Sequence, residues 1–274
     1  MLTRTLLFFI ISFDLFASER ALVIYTEEFP PYNFSVNNEI TGINILLVKA
    51  ACEEAQIECV FQILPWNRSM RMALEGPDTA LVSTARTAER EDLFQWVGPF
   101  ISGQNCIYKL ASRTDIDIPN IDAAKNYIMG ASTDSAYKET LASLGFEEGN
   151  NLNLYQGKYS QLRPFAAQRV DLIIGSATSI QLQLSHGELE LEEVIPVAKI
   201  DSNLHHRNYL ALHPAIDKEV IDKLQSSLER LVTSGTADKF ELEFVKPIAA
   251  SSPSNENSPL WNACMKERQP LSIQ

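Results

Sequence analysis

Short apolar runs rich in β-branched and aromatic residues alternate with longer stretches of helical spacing along most of this chain. Ala21-Leu22-Val23-Ile24-Tyr25 reads as a buried strand. Phe29-Pro30-Pro31-Tyr32 must be a loop, because two prolines remove donors and fix φ. Gly42 then opens a helix over residues 43–54, followed by a strand at 60–63, a helix at 67–75 and a strand at 79–83. Strand–helix–strand alternation at this spacing predicts βαβ units and a largely parallel sheet.

The pattern restarts downstream. A strand at 126–129 leads to a helix at 135–144, then a strand at 152–155, a helix at 159–168 and a buried strand at 170–174. Between the two blocks, residues 104–109 and 194–197 are extended, and two such crossings predict a double hinge. A strand at 209–212 and helices at 217–232 and 237–244 return to the first block. From Ala249 the composition turns to Ser, Pro, Asn and Glu, the mark of a loosely ordered tail, which Trp261 and Cys264 could tether. The expectation is an α/β chain of two lobes. One comprises residues 19–106 plus 200–248, the other 107–199, with a tail at 249–274.

Composition narrows the function. The 274 residues are 45% hydrophobic and 21% charged, enough apolar surface for real cores. A net charge of −12 disfavours nucleic acid, whose phosphates need Lys and Arg, and adhesion to anionic lipid. Arg4 precedes Leu6-Leu7-Phe8-Phe9-Ile10-Ile11-Ser12-Phe13, and Ala17-Ser18 closes the segment. Residues 1–18 therefore read as a secretory signal peptide, with Asp14 an awkward guest in it. The run is shorter than the roughly 20 residues of a membrane span. Export makes the cysteines disulfide candidates before metal ligands. Cys52 and Cys59 lie seven apart in sequence, and Cys106 and Cys264 remain as a further possible pair. His186, His205, His206 and His213 show no metal or triad spacing, and no cofactor motif is present, so none is expected.

Several segments together resemble periplasmic solute-binding proteins of the polar amino-acid type, the family of the histidine- and lysine/arginine/ornithine-binding proteins. Phe29-Pro30-Pro31-Tyr32, then Thr41-Gly42-Ile43-Asn44-Ile45, resembles that family's aromatic-Pro-Pro loop and helix start. Thr87-Ala88-Glu89-Arg90, followed by Phe94, resembles its T-x-x-R motif, and the Cys52/Cys59 spacing resembles a disulfide of its basic amino-acid binders. The resemblance spans about residues 20–247. It implies a type II-like two-lobed fold closing on its ligand by hinge motion. It also implies a monomer in the periplasm that hands a small solute to an inner-membrane ABC permease.

Residue by residue, the resemblance makes Arg90 the anchor of a ligand carboxylate, which a guanidinium fork grips with two hydrogen bonds. Thr87 would cap the following helix. Ser83 matches a ligand-contacting strand position, and Phe29 and Trp66 match walls around the ligand side chain. Arg68 and Arg86 are extra cations flanking these positions. Ser135, at a helix start on the second lobe, is a second carboxylate contact. Ser176 stands where the family places an aspartate that grips an α-ammonium. A hydroxyl supplies no countercharge, so the resemblance implies a carboxylate-bearing solute more firmly than an α-amino acid, with Glu27 or Glu28 as substitutes. Two rival functions share the fold. A cyclohexadienyl dehydratase would need a carboxylic acid such as Glu27, Glu28 or Glu139 over the leaving group, and a stand-alone sensor would need a receptor partner.

Overall fold

The computed structural model describes residues 21–100, 105–133, 137–176, 179–200, 208–244, 260 and 263–264. The expected signal peptide, Ser135 and Trp261 lie outside these residues. In chain order the strands and helices are β1 (Leu22–Thr26), a hairpin of β2 (Phe34–Val36) and β3 (Glu39–Thr41), α1 (Ile43–Ala55), β4 (Cys59–Ile63), α2 (Trp66–Glu75), β5 (Thr79–Ala85) and β6 (Gln95–Val97). Then come β7 (Asn105–Leu110), β8 (Met129–Ser132), α3 (Tyr137–Ser143), β9 (Leu152–Tyr155), α4 (Leu162–Ala166), β10 (Leu172–Ser176), α5 (Ile180–Leu184) and β11 (Val194–Lys199). The chain returns with β12 (Asn208–Leu212), α6 (Lys218–Thr233) and α7 (Thr236–Phe244).

Two five-stranded sheets result, ordered β4-β1-β5-β12-β6 and β11-β7-β10-β8-β9. β4, β1 and β5 run parallel, as do β10, β8 and β9, so each lobe carries a βαβ half finished by antiparallel strands. The segments expected to be hinge crossings are not free connections. β7 and β11 pair antiparallel with each other, and β7 also pairs with β10, inside the second sheet. Their alternation is that of strands: Cys106, Tyr108 and Leu110 enter one core and Ile107 the other. The expected strand at 126–129 starts at Met129 because its register is set by pairing Met129 with Leu152. α4 is shorter than the expected 159–168.

Side-chain periodicity explains the cores. α1 buries Ile43, Leu47, Val48, Ala51 and Cys52 on one stripe, and α6 buries Leu224, Ser227 and Leu228 at helical spacing. Of these, Leu47, Val48, Cys52, Leu224 and Leu228 pack with Ile24, Val82 and Leu210 in the core of the first lobe. In β10, Leu172 and Ile174 face one side of the second sheet and Ile173 the other, so both faces are packed. Gly42 has φ 119°, and a Cβ there would sit 2.5 Å from the Tyr32 carbonyl oxygen, so only glycine lets the loop seat on the helix start. Two disulfides form: Cys52–Cys59 ties α1 to β4, and Cys106–Cys264 ties the C-terminal segment to β7. No helix among the described residues is long and apolar enough to cross a membrane.

Candidate functional site

A cavity of about 510 Å³ opens between the two sheets' helices and loops. Its lining follows the carboxyl ends of parallel strands: Glu27, Glu28 and Phe29 after β1, Leu64, Pro65 and Trp66 after β4, Ser132 in β8, and Lys158, Tyr159 and Gln161 after β9. Tyr137 of α3 and Gln183 of α5 complete it. Open α/β sheets place ligands outside strand carboxyl ends, because that is where loops and helix starts from neighbouring strands converge.

Phe29 and Trp66 line the cavity as half-buried walls. The Arg90 guanidinium lies 5.3 Å from the centre of the Trp66 ring and donates to the Ala85 carbonyl at 3.3 Å. Burial lowers its pKa, opposed by the charges of Glu139 across the cleft and of Glu89. No ion pair among the described residues involves Arg90. Thr87 does not cap a helix as expected. Its hydroxyl donates to Glu89 at 2.9 Å, and Arg90 itself precedes a single 3-10 turn at Glu91–Leu93.

Neither Arg90 nor the remaining expected residues, Arg68, Ser83 and Ser176, are among those that line the cavity. Ser83 is buried with φ 60°, accepts from Asn44 at 2.8 Å and donates to Asn33, bracing the loop that carries Phe29. Arg68 is exposed on α2 and does not line the cavity. Arg86 is bound to Glu91 and lies over the Trp96 and Tyr209 rings, each 5.6 Å away. Ser176 is buried and is not among the residues that line the cavity. It meets Tyr32 of the first lobe at 3.1 Å and Ser179 at 2.7 Å, so hydroxyls occupy the place where a carboxylate was sought. Burial raises the Tyr137 phenol far above its ordinary range, and Tyr137 also hydrogen-bonds Asn105 at 3.0 Å.

Reading the sequence residue by residue missed Lys158, Tyr159 and Gln161. Gln161 is 6% exposed, and its Oε1, like the Tyr159 hydroxyl, lacks a hydrogen-bond partner. Buried polar atoms left so cost free energy until something satisfies them, which is what a polar ligand does. The available signal was the turn after a predicted strand, Gly157-Lys158-Tyr159. Among the described residues no cluster of His, Cys, Asp or Glu suits a metal ion.

The sequence profile of the bacterial extracellular solute-binding proteins, family 3, matches residues 22–247. The chain belongs to that family. This solute-binding protein is 22% identical over 226 residues to the probable amino-acid-binding protein YxeM of Bacillus subtilis (strain 168), covering 78% of this chain and 79% of that one. It is 20% identical to the octopine-binding periplasmic protein of Rhizobium meliloti, over 68% and 71% of the two chains. Among solved structures, an ancestral arginine-binding protein bound to arginine superposes with a TM-score of 0.66 at 18% identity, over 82% of this chain and 97% of that one. At such identity the last likeness speaks for the two-lobed fold alone. The family is one of solute-binding proteins, and both named relatives are binding proteins.

Proposed function

We propose that this protein captures a small carboxylate-bearing solute in the periplasm, after export by its N-terminal segment, and presents it to an inner-membrane ABC permease. The observation that carries the proposal is Arg90. A half-buried guanidinium stacked on a cavity wall is a costly arrangement, since burial disfavours the charge. A ligand carboxylate bound by both arms of the fork offsets that cost. Phe29 and Trp66 hold the apolar body of the solute, while Gln161 and Tyr159 take up its polar groups. Ser135 is kept as a further carboxylate contact from the resemblance alone. Ser83 and Ser176 act from behind, by positioning the loop and the lobe contact. Relatives named for amino acids and octopine support the same chemical class.

The test is a thermal-shift screen of amino acids, opines and dicarboxylates, with calorimetry on the hits, repeated on Arg90→Ala. Hits should be carboxylates and should lose affinity in the variant. A tight ligand indifferent to Arg90→Ala removes Arg90 from the site.

A further inference from the structure

One nitrogen in the cavity is held from three directions. Lys158 Nζ, carried by the second lobe, lies 3.1 Å from the Glu27 carboxylate of the first. It donates to the Glu28 carbonyl at 2.8 Å and stands 4.0 Å from the centre of the Phe29 ring. The Tyr159 ring is 5.7 Å away. All these residues line the cavity. A carboxylate, a carbonyl oxygen and an aromatic face are together what a ligand ammonium or guanidinium would require. The protein's own side chain fills that place.

We propose that Lys158 sets selectivity by occupying the cavity's cation position, so that the site admits solutes with a neutral or anionic distal end and refuses those ending in a cation. This deepens the proposed carboxylate-binding function and rests on it. A second cation brought to the same carboxylate and ring face is repelled by Lys158, so a cationic solute would have to displace Lys158 from its partners. A neutral end need not. Lys158 is 30% exposed and sits in a loop, so its removal should leave the fold intact. It would also take a cation from the Glu27 carboxylate and a donor from the Glu28 carbonyl, both beside Phe29.

The experiment measures affinity for near-isosteric pairs, arginine against citrulline and lysine against norleucine, on the native protein, Lys158→Met and Lys158→Gln. Taking ratios within each pair cancels any general loosening of the lobe contact. The native protein should favour the neutral partner, and both variants should shift the ratio at least tenfold toward the cation. A native protein that prefers arginine overturns the proposal. So does an unchanged ratio in both variants, or a folded variant that binds neither cation. Adding Arg90→Ala to Lys158→Met separates the two ideas: a gained arginine affinity that survives the second change sinks the carboxylate anchor and leaves the role of Lys158 standing.

Discussion

Replacing Arg90 by methionine should separate stability from binding. In the free protein the losses are a cation–π contact with Trp66 at 5.3 Å and a 3.3 Å bond to the Ala85 carbonyl. The first is worth about 1 kcal/mol and the second no more than about 1 kcal/mol. Against them stands the cost of keeping a guanidinium half-buried, which the lowered pKa reports, and which methionine removes while its stem still covers the ring. The terms nearly cancel, so unfolding free energy should move by no more than about 1 kcal/mol, or roughly 2–4 °C in melting temperature. Ligand binding has no such offset. Two charge-assisted hydrogen bonds to a carboxylate are lost, at about 1.5 kcal/mol each on the low side, for a total of about 3 kcal/mol and a Kd raised roughly 150-fold. Arg90→Lys keeps the charge without the fork and should fall between. Calorimetric titration of a carboxylate hit and a melting curve of each free variant provide both readouts. A Kd that moves less than about fivefold, or a melting point that collapses, would show Arg90 to be a structural residue.

Three other outcomes are expected. The Cys106–Cys264 bridge spans 158 residues and Cys52–Cys59 only 7, so in the chain-entropy account their removal to serine costs about 5 and about 2.4 kcal/mol in urea unfolding; equal losses would contradict that account. Tyr32→Phe deletes the hydroxyl joining the lobes at Ser176, 3.1 Å away, worth about 1 kcal/mol or roughly fivefold in favour of opening. Small-angle scattering of the ligand-free variant should show a larger radius, and an identical profile would deny the contact a role in closure. Arg113 holds the Asp115 carboxyl at a pKa of about 2, so this pair's contribution is complete above the ordinary carboxylate range and fades as pH falls from about 4 toward 2. NMR titration should find that low midpoint and see it rise in Arg113→Met, and a midpoint unmoved by the substitution would assign the shift elsewhere.

What could be foreseen from the chain was whatever periodicity and local chemistry determine. α1 and β10 carry their burial pattern in their own residues, and the proline pair alone made residues 29–32 a loop. Extended backbone, by contrast, does not say what it pairs with. Residues 104–109 and 194–197 look alike whether they bridge two lobes or sit inside one sheet, and only the pairing of β7 with β10 decides for the sheet. The same holds for Cys264, whose partner depends on where the tail returns. Phe29 and Trp66, both of which line the cavity, were named through the family resemblance. Lys158 was not, since a lone lysine in a turn is ordinarily a solvated charge, and its partners lie about 130 residues away on the other lobe.

The contact between Tyr32 and Ser176 changes what the missing aspartate means. A carboxylate at position 176 would be buried against Tyr32 and Ser179 whenever the lobes meet, and without a cation beside it would resist their meeting by several kcal/mol. Such a site waits open for its ammonium. A serine there imposes no such cost, because each hydroxyl finds another, so the lobes can touch with the cavity unfilled. Two contacts between the lobes need no charge from a solute, Lys158 with Glu27 and Tyr32 with Ser176. In the proposed function, Arg90 takes the solute's carboxylate, and the Gln161 and Tyr159 atoms that lack hydrogen-bond partners take its polar groups. A solute that fits this proposal carries its obligatory charge as an anion and meets the rest of the wall with neutral hydrogen-bonding groups.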